Sequence, residues 1–432
     1  MRGLSAFAAL WLLSSGLAAA ADQNATVLFG EQQLTPNAQR SESLADYLSE
    51  LKRREFGYDY EKTDQESIKL RDSWIQPVVI SYTLNRQNPY NEYEAPETQQ
   101  QSASIAIDQP VFRSGGIYYG IKYAEASWAV GKLSIEQQER SLIKQAVELL
   151  MQIKQSEMGI EKQKLQVANS EINLLQKREQ YMSGQLDSGF LNNAIIERNV
   201  AKQALLDLQT AKERLVSAFE SISDLDYRTA KIPFLALVDE ARFMHDTIDL
   251  KLAQQQEEQQ RYNKNVTLAA YLPSINLQAS YNWQKQQSVY YLNGAYVASE
   301  PPETSYYRYG FTASMPLDVN SINDYEANKA AYLKAKVVVD DTKRALKSLY
   351  DQVMQNLRNI AGKIELSKEN ETLYATLLKD TQEQYDAGYK TMYDVDTMAN
   401  SKQIELLNQR MYEIDRQLEL LNLYEKLSEP RS

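Results

Sequence analysis

Residues 274–284 read Ser-Ile-Asn-Leu-Gln-Ala-Ser-Tyr-Asn-Trp-Gln, with an apolar side chain at every odd-numbered position and a polar one at every even-numbered position. This alternation is typical of a β-strand that has one apolar face and one hydrated face. The same pattern recurs in three other stretches of the chain. The predicted strands cover about 76–86, 102–112, 273–286 and 306–317.

Aromatic side chains lie near the ends of these strands, where they would meet the two interfaces of a bilayer. They are Trp74, Tyr82, Tyr271, Trp283, Tyr307 and Tyr309. The alternative is a soluble antiparallel sheet with one face on a core. We favour membrane strands, with lipid outside and a lumen inside, because no helix in the chain looks suited to cover such a sheet.

Four strands are too few to close a membrane barrel, since the smallest such barrels have eight and an open sheet edge is not tolerated in lipid. The chain is therefore predicted to share its barrel with copies of itself. Two copies would give eight strands and a filled interior, whereas three would give twelve strands and room for a lumen. The trimer is the favoured alternative.

Long helices account for most of the remaining chain. Two proline-free stretches, 115–183 and 319–387, are rich in Gln, Glu, Lys, Leu and Ala. As continuous helices, each would span ~100 Å. Shorter helical stretches are expected to pack in end-to-end pairs beside them, at 41–74, 188–222, 239–270 and 391–427. The last stretch has a coiled-coil heptad stripe of Ile404, Leu407, Met411, Ile414, Leu418 and Leu421.

The chain contains an internal duplication. Pro96-Glu97-Thr98 recurs as Pro302-Glu303-Thr304, and Pro110 and Pro316 are separated by the same number of residues. Such spacing predicts two structural units of the same design. The repeats are predicted at about 38–222 and 239–427, with an irregular equatorial segment at about 223–238.

The first residues have the features of a secretory signal peptide. Arg2 is followed by an apolar run from Leu4 to Leu17 and by the small residues Ala18 to Ala21. The run is too short for a stable membrane helix, and a buried apolar helix is the weaker alternative. Residues 1–21 are therefore predicted to be cleaved, which leaves 22–432 as the mature chain.

The composition excludes most other functions. With no cysteine and a single histidine, His245, the chain has neither thiolate nor multi-histidine metal sites. Its net charge of -11 disfavours nucleic-acid binding, and its mean hydropathy of -0.54 leaves no room for a bundle of apolar membrane helices. No phosphate loop or catalytic signature is present. We therefore predict no enzyme activity, no catalytic or metal-binding residues and no cofactor.

Two motifs carry a resemblance to a known family. Gln109-Pro110-Val111-Phe112-Arg113-Ser114-Gly115-Gly116 looks like that family's strand-to-helix junction, and Gly388-Tyr389-Lys390-Thr391-Met392-Tyr393-Asp394-Val395 is similar to one of its helical tips. With the duplication and the signal peptide, these motifs indicate that the chain resembles the TolC-like outer-membrane factor family, the outer membrane efflux proteins. The resemblance covers nearly the whole mature chain.

The resemblance implies a homotrimer in which four strands from each chain form a twelve-stranded β-barrel that continues into a long α-helical barrel with coiled-coil packing. Such a trimer would lie in the outer membrane of a Gram-negative cell and extend into the periplasm. Its partners would be outer-membrane lipid, a periplasmic adaptor protein and an inner-membrane transporter. It would conduct drugs, small molecules or secreted proteins passively to the exterior, in multidrug efflux or type I secretion. The alternative function is a coiled-coil tether of the outer membrane that conducts nothing.

The second tip holds the candidate aperture residues. Gly388 suits the left-handed position that ends a helix, and Thr391 with Asp394 can begin the next helix as a capping pair. The resemblance implies that Asp394, Lys390 and Tyr385 line the periplasmic entrance and hold it shut. Threefold repetition of Asp394 would then make a ring that attracts cations.

Two departures from the family pattern affect the aperture and the docking tips. Thr397 stands where the family has a second carboxylate, and the first tip, residues 184–189, has no acid that matches Asp394. For Tyr181 and Val395, packing within the coiled coil is an equal alternative to docking. The residues implied to dock the adaptor are Tyr181, Gly184, Leu186, Gly388, Thr391 and Val395.

Overall fold

A computed structural model of the chain describes residues 44–87, 98–287, 289–299 and 302–428. The predicted signal peptide lies outside the described residues. The helices are α1 (Glu50–Arg71), α2 (Gly116–Met182), α3 (Ser188–Glu220), α4 (Glu240–Asp246), α5 (Ile248–Ala270), α6 (Ser321–Asp386) and α7 (Met392–Tyr424). The strands are β1 (Val79–Gln87), β2 (Thr98–Phe112), β3 (Ser274–Gln286), β4 (Val289–Leu292), β5 (Ala295–Ala298) and β6 (Glu303–Ser314).

Four strands form one antiparallel sheet in the order β1-β2-β3-β6. The register places side chains of the same character next to each other, because Ile80, Ile105, Tyr281 and Tyr307 are successive partners across the four strands. Neighbouring strands therefore combine their alternating patterns into one apolar face and one polar face. The pairing of β2 with β3 joins the two repeats in a single sheet.

The junction between β2 and α2 is held by side chains of the motif that begins at Gln109. The Gln109 side chain donates to the carbonyl of Trp74 (3.1 Å) and accepts the amide N–H of Gln76 (2.9 Å), which fixes the chain that enters β1. Ser114 has a φ of 47° and donates its hydroxyl to the carbonyl of Pro273 (2.6 Å). These bonds place the start of α2 beside the start of β3.

The long helices α2 and α6 contain 67 and 66 residues and so extend for ~100 Å. Near the sheet, α2 contacts α1 through Trp128, which donates to Asp64 (2.6 Å), and α5 through Gln137, which donates to Asp249 (2.7 Å). Farther from the sheet, α2 contacts α3 and α7. Each long helix thus runs beside shorter helices that follow one another along its length.

The helix predicted at 239–270 is broken at Thr247, and this part of the prediction was wrong. Thr247 has extended backbone angles (φ -69°, ψ 134°) and forms an antiparallel bridge with Leu427. The amide N–H of Ile248 donates to the carbonyl of Lys426 (2.8 Å), and the amide N–H of Ser428 donates to the carbonyl of Asp246 (3.0 Å). Backbone pairing with a distant segment therefore replaces one turn of helix.

Among the described residues, most of the buried side chains lie around the irregular segment 223–238. One cluster contains Phe219, Leu150 and Met151, none of which has any exposed surface. Hydrogen bonds hold the segment against the helices, because Gln417 accepts the amide N–H of Leu235 (2.8 Å) and Tyr350 donates to the carbonyl of Val238 (3.0 Å). The core of the chain is therefore midway along the long helices.

The loop between β3 and β6 contains a hairpin, β4–β5, that our sequence analysis missed. Its turn is Asn293-Gly294, with φ values of 53° and 85°. An Asn-Gly pair between two short apolar stretches is a strong hairpin signal, so the sequence did contain the information. Among the described residues, no helix has the length and apolarity that a membrane span requires.

Candidate functional site

Two tight turns lie at the end of the molecule opposite the sheet, one between α2 and α3 and the other between α6 and α7. Gly184 and Gly388 adopt left-handed conformations there, with φ values of 76° and 80°. In the second turn, the amide N–H of Gly388 donates to the carbonyl of Tyr385 (2.9 Å) and that of Tyr389 donates to the carbonyl of Gln384 (2.8 Å). This is the Schellman pattern that ends a helix, and the first turn has the same bonds.

We expect Gly388→Ala to destabilise the protein by about 1–2 kcal/mol, because a Cβ disfavours the left-handed backbone. A Cβ atom added at Gly388 would have no neighbouring atom within 4 Å, so this cost comes from the backbone conformation and not from a steric clash. Gly362→Ala, in the interior of α6 and equally free of neighbours, is the matched control. It should stabilise the protein by about 0.5–1 kcal/mol. Thermal melting of both variants checks the two signs, and equal effects would contradict this account.

The helices that follow the turns begin with different caps. Asp394 accepts hydrogen bonds from the amide N–H of Thr391 (3.0 Å) and from its hydroxyl (2.8 Å). In the first turn, Asp187 accepts the amide N–H of Gly189 and caps α3. Each tip therefore has a capping carboxylate, although our sequence analysis recognised only that of the second.

The carboxylate of Asp394 is ionised at neutral pH. The two hydrogen bonds from Thr391 lower its pKa below the usual value for an aspartate, and the nearby Lys390 ammonium lowers it further. Because Asp394 is only half-buried, the charge is available to solvent as well as to the cap. The residue can therefore cap the helix in its own chain and still present a negative charge at the tip.

The other predicted aperture residues are exposed and are not bonded to Asp394 in the described part of the chain. Tyr385 and Lys390 both lie on the surface of the second tip. Thr397, at the position where a second carboxylate was expected, donates its hydroxyl to the carbonyl of Tyr393 (2.8 Å) within the helix.

Most of the predicted docking residues are accessible. Tyr181, Gly184, Gly388 and Thr391 are exposed and Leu186 is half-buried, whereas Val395 is only 6% exposed. Val395 therefore belongs to the packing between helices, and we remove it from the proposed docking residues. The sequence analysis left packing within the coiled coil as an equal alternative for Val395, and its burial favours that alternative.

Exposed apolar side chains surround the two turns, and several of them were not among the docking residues predicted from the sequence. We call it the tip surface, and it consists of Tyr181, Met182, Phe190, Tyr385, Tyr389 and Met392. Tyr389 is 84% exposed. Large apolar side chains that gather on one exposed surface commonly mark an interaction site.

The tip of α7 is tied to α2 within the same chain. Tyr393 donates its hydroxyl to Glu179 (3.4 Å), and Asn400 donates to Asn169 (2.7 Å) one turn or more farther from the tip. These bonds hold the second tip beside the first. No group of acidic or histidine side chains in the described ranges is arranged to hold a metal ion.

Comparisons with known proteins agree with this architecture. Residues 246–429 match the family model described as outer membrane efflux protein. The fold is similar to that of the outer membrane protein VceC from Vibrio cholerae, with a TM-score of 0.67, 12% identity and coverage of 89% of this chain and 95% of that one. The CmeC outer membrane channel of Campylobacter jejuni gives a TM-score of 0.68, 12% identity and coverage of 90% and 86%. The MtrE outer membrane channel of Neisseria gonorrhoeae gives a TM-score of 0.59 and 12% identity, with coverage of 88% of this chain and 87% of that one.

A search of curated protein sequences found no significant match. The identities to the solved structures are low, so those similarities concern the fold. The family match concerns the sequence itself, and it lies in the second repeat. Both support the resemblance that was inferred from the strand-to-helix junction and the second tip. Residues 246–429 therefore match the outer membrane efflux protein family in sequence, and the fold of the chain is similar to that of solved outer membrane channels.

Proposed function

We propose that three copies of the chain form the outer-membrane exit duct of a tripartite export system. The observation that carries this proposal is the four-stranded sheet with one apolar face, one polar face and no described partner on the outer side of β1 or β6. A sheet with two open edges cannot remain in lipid as a single copy. Three copies joined edge to edge would close twelve strands around a lumen.

The dimensions of the apolar face fit a membrane. From Ile275 to Trp283, the face extends about 27 Å along β3, which is close to the ~25 Å band of an outer-membrane barrel. Beyond the band, on the side away from the helices, the face ends in charge, because Lys285 forms an ion pair with Glu303 (3.0 Å). The loops would then face the exterior and the helices would extend into the periplasm.

The two side edges of the helical part also lack a described partner. Along α6, an exposed apolar stripe includes Leu333, Val337, Leu366 and Leu373. On the opposite edge, α1 and α3 expose Leu51, Tyr58, Ile196 and Val200. Two different apolar edges on one chain allow each copy to pack its α6 edge against the α1–α3 edge of the next, and such head-to-tail contacts close into a ring.

At the far end, we propose that Asp394, Lys390 and Tyr385 line the periplasmic entrance. The tip surface, together with the exposed residues of both turns, would dock a periplasmic adaptor that couples the duct to an inner-membrane transporter. The cargo would be drugs, small molecules or secreted proteins, and its energy of transport would come from the transporter.

Single-channel recording in planar bilayers tests the duct. We expect a purified trimer to conduct ions through a water-filled lumen. A folded trimer that produces no conductance would rule out the duct and leave the outer-membrane tether as the better account.

We expect Asp394→Asn to weaken block by a trivalent cation such as lanthanum, added on the side of the tips. Loss of three converging carboxylates should raise the half-blocking concentration at least about tenfold, which corresponds to about 1.4 kcal/mol. Asp396→Asn removes the same charge two residues away and is the matched control. If both variants are blocked like the unmodified protein, Asp394 does not line the entrance.

A further inference from the structure

The polar face of the sheet carries two charged side chains among its strand residues. Asp108 is on β2 and Arg308 is on β6, and both are exposed. The remaining strand residues of this face are uncharged, and most are Ser, Thr, Asn or Gln. Asp108 and Arg308 therefore supply the only charges among the described strand residues of this face.

Asp108 is held in place by side chains of the next strand. It accepts hydrogen bonds from the amide of Asn276 (2.9 Å) and from the amide of Gln278 (3.3 Å). The Gln278 carbonyl oxygen in turn accepts the hydroxyl of Thr312 on β6 (3.1 Å). This network spans three strands and orients the carboxylate on the polar face.

Arg308 has no hydrogen bond or ion pair with any residue that the structure describes. The strand register gives its position along the sheet. Arg308 is paired with Ser280 of β3, and Asp108 is paired with Gln278 of the same strand, two residues away. The two residues are therefore two strands apart, which is about 10 Å across the sheet. Both residues line one open pocket with a volume of about 450 Å³.

We propose that Asp108 and Arg308 are selectivity-determining residues of the barrel lumen. This inference rests on the proposed trimeric duct. In the order β1-β2-β3-β6, Asp108 is on the second strand and Arg308 is on the fourth. Three copies in sequence then place a charge on every second strand, with a carboxylate and a guanidinium in alternation around the whole wall. We call this arrangement the charged collar.

The charged collar has no net charge, so it offers both signs to a passing solute without favouring either type of small ion. Loss of one sign leaves three like charges around a narrow aqueous path, and such charges concentrate counter-ions. Cargo that carries separated positive and negative groups could contact both signs at once. The neutral polar residues elsewhere on the face would let the same cargo slide past.

The test is the ratio of potassium to chloride permeability, measured from reversal potentials of single trimers in a potassium chloride gradient. We expect Asp108→Asn to shift the ratio toward chloride and Arg308→Gln to shift it toward potassium. Each substitution should change the permeability ratio at least about twofold, which is less than the increase in counter-ion concentration that charged clefts produce. Lys285→Gln and Glu303→Gln are the matched controls, because they alter charges on the opposite face of the same sheet and should leave the ratio unchanged.

Asp108→Asn replaces one of the two accepting oxygens with an amide donor, which would face the amide of Asn276 or Gln278 and weaken this network. Arg308 has no described partner, so Arg308→Gln tests the proposal by itself. A conducting trimer whose ratio is unchanged in Arg308→Gln, or shifts toward chloride, overturns the charged collar. An unmodified trimer that does not conduct contradicts the proposed duct instead, so the two failures are distinguishable.

Discussion

Replacing Leu333 and Val337 together with glutamate is expected to abolish assembly and, with it, all conductance. The two residues are one helical turn apart on α6 and are 50% and 67% exposed in the single chain. In the proposed trimer they pack against the α1–α3 edge of the next copy. Each substitution would bury an unpaired carboxylate there, and a buried charge without a partner costs several kcal/mol.

Because the interface repeats three times, these costs add up around the ring and leave the monomer as the favoured state. The measurement is the molar mass in detergent, by light scattering during size-exclusion chromatography. Gln352→Glu with Asn356→Asp adds the same two charges to exposed polar positions of the same helix and should leave the trimer intact. Retention of a trimer by the Leu333 and Val337 variant would show that this edge of α6 is not an interface.

Phe219→Ala is expected to destabilise the chain by about 3–5 kcal/mol, because it removes a large buried aromatic ring and leaves a cavity. Phe219 has no exposed surface and packs in the cluster that joins α2, α3 and the irregular segment 223–238. Local relaxation can fill little of the space, since the neighbours Leu150 and Met151 are themselves fully buried.

Phe234→Ala is the matched control, because Phe234 belongs to the same region but is 77% exposed. Its effect should be within about 0.5 kcal/mol. Denaturant unfolding followed by circular dichroism measures both variants. Equal losses of stability in the two variants would mean that the buried cluster around Phe219 is not the core of the chain.

Local periodicity made much of the fold predictable. The alternation of apolar and polar side chains in residues 274–284 predicts a strand with one apolar and one polar face, whichever strands lie beside it. The structure has this strand, β3, at Ser274–Gln286. Likewise, Gly388 marks a left-handed turn wherever the helices happen to lie, because its conformational freedom is a property of the residue itself. Thr391 and Asp394 form their cap within a single turn of chain.

Contacts between distant parts of the chain were not predictable in the same way. The break at Thr247 depends on pairing with Leu427, and no pattern in residues 239–270 reports on that partner. The burial of Val395 depends on neighbouring helices, and so does the gathering of Tyr181, Phe190 and Tyr389 on one tip surface. Each residue was visible in the sequence, but its environment was not.

The strongest contrast is between the character of the strands and their order. Alternating apolar and polar residues require a two-faced sheet, since side chains of a strand point to opposite sides whatever lies beside it. The placement of β2 beside β3 is a different matter, because it is set by backbone pairing between the two repeats. That pairing brings Asp108 and Arg308, which are far apart in the sequence, to the same polar face two strands apart. The residue pattern therefore specified the faces, and the long-range hydrogen bonding of the sheet specified which charges share them.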